Sequence, residues 1–235
     1  MDVIGDVLRW LTDPAQWSGP EGIPVRTLQH LGYSLLATAI AAAIALPIGV
    51  LIGHTGRGAV FAVNLTNLGR AIPTLGIIIL VFILAGFGIV PVLVALTALA
   101  VPPIVTNSYV GVRSVDPEVR EAAEGMGMRG RQVLWKVELP VAMPLIMAGI
   151  RTSTVQVVAT ATLTAYVGLG GLGRYLIDGF SQRDLPEVVG GAILVAVLAL
   201  LIELALGRLQ TLVVSRGLAE RGADAAVRAK VQKAA

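Results

Sequence analysis

Residues 71–112 run for 42 positions without a charged side chain. A hydrocarbon core about 30 Å thick is crossed by about 20 helical residues at 1.5 Å each. The run is therefore too long for one crossing and suits two, joined by a tight turn at GFGIVP, residues 86–91. Lipid offers no partners to backbone amides, so segments of this kind must be helical. Composition agrees: 55% of residues are apolar and 14% charged, with a mean hydropathy of +0.80. Soluble domains carry about 25% charged residues. A length of 235 residues suits a single membrane domain.

Three further apolar stretches complete the pattern. Residues 31–53 carry no charge over 23 positions, and Pro47 with the pair Gly49/Gly53 predicts a kink and a close helix contact of the ordinary packing kind. Residues 143–166 hold Arg151 among hydroxyls and amides, and residues 188–206 form the last stretch, ending near Glu203 and Arg208. The expectation is an all-α integral membrane chain of five spans, at about 31–53, 65–87, 91–112, 143–166 and 188–206. A sixth would require splitting 59–84 into two crossings too short for lipid. Arg70 falls in the first turns of span two, where its stem can reach the headgroups. Ahead of the spans, Val3, Val7, Leu8 and Leu11 share a helical face beside Trp10 and Trp17, which fits a short interfacial helix. That segment lacks the basic start of a signal peptide, so no cleavage is expected.

Lysine and arginine set the orientation. With five spans, twelve fall on one side: Arg57, the five at 113, 120, 129, 131 and 136, and the six from 208 onward. Arg9, Arg26, Arg174 and Arg183 fall on the other. The positive-inside rule puts the twelve in the cytoplasm, with the N-terminus outside and the C-terminus inside.

Several functions are excluded or disfavoured. There is no cysteine, hence no disulfide framework or thiolate metal site. His30 and His54 flank the first apolar stretch without evident ligand partners and read as interfacial side chains, so no metal site is expected. The excess of 18 basic over 15 acidic residues is too small to suggest nucleic acid. No G-x-x-x-x-G-K-[ST] is present, because Lys136, Lys230 and Lys233 all lack the preceding glycine. Two G-x-G-x-x-G matches, Gly125/Gly127/Gly130 and Gly168/Gly170/Gly173, lack the strand–helix context that would make them nucleotide sites. No cofactor is expected, and the chain does not read as an enzyme.

One block stays polar between the apolar runs. Asp116 and Pro117 form a helix start, an Asp N-cap followed by Pro at the first helical position. Glu118 and Glu121 favour the first turns, and Ala122 and Ala123 are strong helix formers with little bulk. Gly125, Gly127 and Gly130 permit a sharp turn, and residues 131–137 can form a second short helix halted before Pro140. An ordinary solvated loop fits the composition as well as a docking arm does.

The spacing separates the two readings. Glu121-Ala122-Ala123, three residues, Gly127, nine residues, then Val137-x-Leu139-Pro140 resembles the signature of inner-membrane permeases of ATP-binding-cassette importers, with Val137 in place of isoleucine. The resemblance runs from about residue 27 to 206. RAIPTLGIIIL at 70–80, the stretch 102–128 and GLGGLGRYLIDGF at 168–180 look like the osmoprotectant subgroup, which carries glycine betaine, choline, carnitine or proline. Methionine importers are the nearest subgroup that could be confused with it. The resemblance implies a type-1 permease domain over 27–210, an outer segment 1–26 and a cytoplasmic polar tail 211–235. It implies two permease subunits, the second a copy or a paralogue, with two cytoplasmic ATPase subunits, an external binding protein and a bacterial inner membrane. Residues 116–138 would then be the arm that docks on the ATPase, through Glu121, Ala122, Ala123, Gly127, Leu139 and Pro140.

Polar side chains in span four need partners or a wet pathway. Thr154, Gln156, Thr160 and Thr164 are the candidates for a pathway wall, with helix–helix hydrogen bonding an equal alternative. Arg151 lies deep enough to need a carbonyl or acid partner and is expected to brace span four to the arm. Tyr166 fits an interfacial anchor or a contact to a cationic solute. A secondary transporter would want an acidic residue near mid-membrane, and Glu203 lies too near the inner end. A non-transporting scaffold is the remaining alternative.

Overall fold

The structure, a computed structural model, describes residues 3–60, 62, 64 and 73–214. Arg70, the start of the expected second span and nearly all of the polar tail lie outside the described residues. Every regular element among the described residues is helical. In chain order these are α1 (Val3–Thr12), α2 (Ile23–Thr55), α3 (Thr74–Ala85), α4 (Ile89–Arg113), α5 (Pro117–Gly125), α6 (Gly130–Val133), α7 (Leu139–Thr160), α8 (Gly173–Gln182) and α9 (Leu185–Val213). A π turn, Leu134–Glu138, joins α6 to α7, and a 3-10 segment, Ala161–Val167, follows α7.

Among the described residues, four stretches are long and apolar enough to cross a membrane: Ile23–Thr55, Ile89–Arg113, Gly130–Val167 and Leu185–Val213. α2 starts eight residues before the expected 31, because Pro24 fits a first turn and no glycine or further proline interrupts residues 25–30. It ends where Gly56 takes φ +68 and its N–H donates to Ile52 O at 3.0 Å. α3 has 12 residues, a length of about 18 Å at the helical rise, short of a crossing by itself. The expected tight turn after it is present, with Gly86 at φ +80 and Gly88 at φ +134.

α4 lies at the centre, packed against α2, α3 and α7. Lipid gives helices no hydrophobic drive to associate, so close packing of small residues carries the assembly. Ala37, Ala41 and Ala45 of α2 meet Ala95, Leu96, Ala100, Ile104 and Val105 of α4 in a fully buried core. A Cβ on Gly49 would stand 2.6 Å from Val105 O, and one on Gly53 2.7 Å from Val112 Cβ. The Gly49/Gly53 pair is thus intramolecular packing, as expected. On the other side of α4, a Cβ on Gly149 of α7 would meet Asn107 Cβ at 2.7 Å.

Three expectations need correction. The second arm helix does not halt before Pro140. The chain is helical from Gly130 through Thr160, because the π turn shifts the hydrogen bonding so that Leu139 N–H donates to Leu134 O. Pro140 thereby falls in the first turn of α7, where its missing N–H is tolerated. Arg151 braces α7 to α9 rather than to the arm, since its Nε donates to Glu203 Oε1 at 2.7 Å. The histidines are not interfacial bystanders. His30 is fully buried with Nε2 2.8 Å from Val158 O, and His54 is bound to a buried acid.

α1 lies along α9 as the expected short helix, though its buried face is set by Val7 and half-buried Trp10 rather than by Val3 and Leu8, which are exposed. Trp10 covers Gly190 and meets Tyr175 edge-on at 5.2 Å.

Candidate functional site: a helical arm and its buried root

Residues 116–138 form an arm with two short helices at the end of the bundle where α2 and α4 terminate. Asp116 Oδ1 accepts from Glu118 N at 3.0 Å, the N-cap that Asp-Pro predicts. α5 ends in a paired closure: Met128 N–H donates to Ala123 O at 3.2 Å and Gly127 N–H to Glu124 O at 2.8 Å. Both bonds require a left-handed residue at the turn, and Gly127 supplies it at φ +84. Arg129 N then donates to Gln132 Oε1 at 2.8 Å to start α6.

The signature residues divide by exposure. Glu121 and Ala122 face solvent, while Ala123 is 2% exposed and fixes α5 to the bundle. Val119, Ala122 and Met126, at helical spacing, make an exposed apolar stripe on α5, with Met126 73% exposed. Leu139 packs against Val112, Ala142 and Ile146, and Pro140 is exposed. The arm therefore has an anchored side and an uncovered side.

Its root holds a charged cluster that the motif does not announce. Glu138, 1% exposed, receives His54 Nδ1 at 2.6 Å and has Arg120 Nε 3.2 Å from its other oxygen. Between an imidazole and a carboxylate the ring N–H is the donor. The Arg120 Nε contact has ion-pair distance without hydrogen-bond alignment, and Arg120 Nη2 donates to Val112 O. A carboxylate directly before Leu-Pro, at the mouth of an apolar run, must find a cation. That requirement was legible, but nothing local pointed to His54, 84 residues earlier.

The four expected pathway residues are not brought to one surface. Thr154 is buried and donates to Ile150 O at 2.7 Å, and Thr164 is buried and donates to Gly170 O at 3.0 Å. Gln156 is exposed and Thr160 half-buried, on the face of α7 that also shows Thr152 and Ala159. Ser153, outside the expected set, ties α7 to α4 by donating to Ala100 O at 3.0 Å.

At the opposite end of the bundle, Glu21, Arg26, Arg174, Tyr175, Asp178 and Glu187 line a polar cavity of about 180 Å³. Tyr175 Oη donates to Glu21 O at 2.8 Å. Burial pushes its phenol up to about 12; Arg26 opposes the shift, while Glu187 and Glu21 add to it. The glycine loop after α7 is held here too, with Gly171 N–H donating to Gln29 Oε1 at 2.9 Å.

Comparison with known proteins agrees with this architecture. Residues 45–217 match the family described as binding-protein-dependent transport system inner membrane component. The carnitine transport permease protein OpuCB of Listeria monocytogenes is 40% identical over 186 residues, 79% of this chain and 85% of that protein. The glycine betaine/carnitine/choline transport system permease protein OpuCB of Bacillus subtilis is 37% identical, over 82% of this chain and 89% of its own length. The osmoprotectant import permease protein OsmW of Salmonella typhimurium is 36% identical over 82% of this chain and 92% of its own length. Among solved structures, a chain of the inward-facing MetNI methionine ABC transporter superposes with a TM-score of 0.72 at 22% identity, over 87% of this chain and all of that one. At that identity the likeness is one of fold. The chain belongs to the family of inner-membrane components of binding-protein-dependent transport systems.

Proposed function

We propose that this chain is the membrane-spanning permease subunit of an ATP-driven importer of osmoprotectants, compact solutes such as glycine betaine, carnitine, choline or proline. The supporting observation is the set of relatives at 36–40% identity over about four-fifths of the chain, all named for such solutes. The methionine reading rests on fold likenesses at 22 and 23% identity. A secondary transporter has less support still, since Glu203, the acid within the last span, is engaged by Arg151.

In this reading residues 27–210 are the permease domain, preceded by an outer segment and followed by a polar tail. α3 belongs to a fifth span. The N-terminus lies outside, and the arm and C-terminus are cytoplasmic. Glu121, Ala122 and Gly127, with the stripe around Met126, meet one of two ATPase subunits, while Leu139 and Pro140 set the arm on its span. The ATPase subunits hydrolyse ATP, and this chain does no chemistry. A second permease subunit, the same chain or a paralogue, faces Thr152, Gln156 and Thr160 across the pathway, and Thr154 and Thr164 support that wall from behind. An external binding protein delivers the solute at the end that carries the polar cavity.

Purification of the chain with its native ATPase and binding protein, reconstitution into vesicles and uptake of labelled solutes tests the reading. ATP-dependent uptake of glycine betaine, carnitine or choline is expected. Uptake of methionine alone would overturn the substrate class, and uptake without ATP the importer class.

A further inference from the structure

Two helices reach the Glu138 carboxylate, and one of them carries the link on to a third. His54 comes from the last turn of α2, and Arg120 from α5. Arg120 also reaches Val112 O in the last turn of α4, and Glu138 itself closes the π turn that leads into α7. The side chain of Glu138 is 2% exposed, against 17% for Arg120 and 26% for His54. An exposed ion pair would slip at little cost. Here each separation strands a desolvated charge, so the contacts must move together or not at all. Leucine would fill the space without any desolvation penalty. What a carboxylate adds is directional contact to separate elements.

We propose that Glu138, gripped by His54 and Arg120, is a positioning residue for coupling. It locks the arm to the neighbouring ends of α2 and α4, so that displacement of the arm drives those spans instead of being absorbed by bending at its root. The proposal rests on the reading of residues 116–138 as the ATPase-docking arm.

The test uses the whole complex in vesicles and measures ATP hydrolysed per labelled glycine betaine taken up. His54→Ala removes one contact and leaves the Glu138–Arg120 pair in place. Its membrane level and ATPase copurification should match the parent, while ATP consumed per solute rises about fivefold or more. His54→Asn returns a donor nitrogen near the place of Nδ1 and should recover most of the parent ratio. Glu138→Gln should shift the ratio in the same direction and further; if that chain fails to assemble, the two His54 variants decide. An unchanged ratio in His54→Ala would overturn the joint, and so would a His54→Ala chain that fails to assemble, which would make the cluster a folding element only. If Glu121→Lys uncouples in the same assay, the arm reading stands without the joint. If Glu121→Lys also changes nothing, the arm reading itself fails.

Discussion

Arg151 and Glu203 face each other between α7 and α9, with the guanidinium Nε 2.7 Å from Oε1 and a second guanidinium nitrogen on the same oxygen. Arg151 is the sole charge in residues 143–166 and Glu203 the sole charge in residues 188–206, and each is about one-third exposed. A lone carboxylate on an apolar helix is costly, so the pair fixes how the last span sits against α7. Arg151→Leu should lower the stability of the detergent-solubilised chain by roughly 1–3 kcal/mol. The double variant Arg151→Leu/Glu203→Leu should recover most of that loss. Thermal melts of the four chains in a double-mutant cycle give the coupling, and additive losses would count against the pair.

Glu121 is exposed on α5, away from the anchored Ala123. Glu121→Lys should therefore leave insertion and folding intact while reversing the charge that a partner meets. Quantitative blotting of membranes should show parental levels, with uptake and ATPase association lost. Parental uptake and association would remove Glu121 from the docking surface.

Gly127→Val forces a β-branched residue to φ +84, with a strain of roughly 1–2 kcal/mol. A Cβ there meets nothing within 4 Å, so the penalty is conformational rather than steric crowding. The arm should lose ATPase copurification while the chain stays at normal membrane levels.

Gly149→Val provides the opposite case. Its backbone is ordinary helix, but its Cβ would stand 2.7 Å from Asn107 Cβ and 3.1 Å from Pro103 O. Overpacking of this kind costs roughly 1–3 kcal/mol and pushes α7 off α4. Membrane levels should fall in Gly149→Val and hold in Gly127→Val. The reverse order would contradict both assignments.

Tyr175 bears a phenol that burial pushes up to about 12, from an ordinary value of 10.0. The folded state thus favours the protonated phenol. Its stabilising contribution is complete below about pH 10, where both states are protonated, and is lost as pH rises toward 12. The difference between tyrosinate absorbance titrations of the parent and Tyr175→Phe should show one phenol ionising near 12. Ionisation near 10 would mean that the end of the bundle carrying α8 is open to water.

Much of the fold was written in runs of one kind of residue. Uncharged stretches marked the spans, Asp116-Pro117 marked the start of α5, and Gly127 marked its turn, because each depends on local backbone energetics. What depended on distant partners was not legible. Arg151 declared that it needed a carbonyl or an acid, but Glu203, 52 residues on, had no local mark identifying it as the partner. Glu138 needed a cation, but His54, 84 residues earlier, had no local mark identifying it as that partner. Pro140 misled because a proline normally ends a helix, and the π turn that absorbs it leaves no trace in composition. The pathway residues of span four were assigned by polarity, and polarity does not tell which side of a helix a threonine occupies. Thr154 and Thr164 satisfy themselves on nearby carbonyls, while Gln156 is left uncovered.

The uninterrupted helical stretch from Gly130 to Val167 has a mechanical consequence. Gly149, where a Cβ would stand 2.7 Å from Asn107 Cβ of α4, divides it into two nearly equal parts of about 28 Å each at the helical rise. A stiff rod held at its midpoint is a seesaw. If the stretch pivots there as a unit, pressing the arm a few ångströms one way would swing the far tip, beside the glycine loop at 168–171, by a similar distance the other way. Opening at one face of the membrane and closing at the other would then be a single movement, requiring no relay of contacts between them.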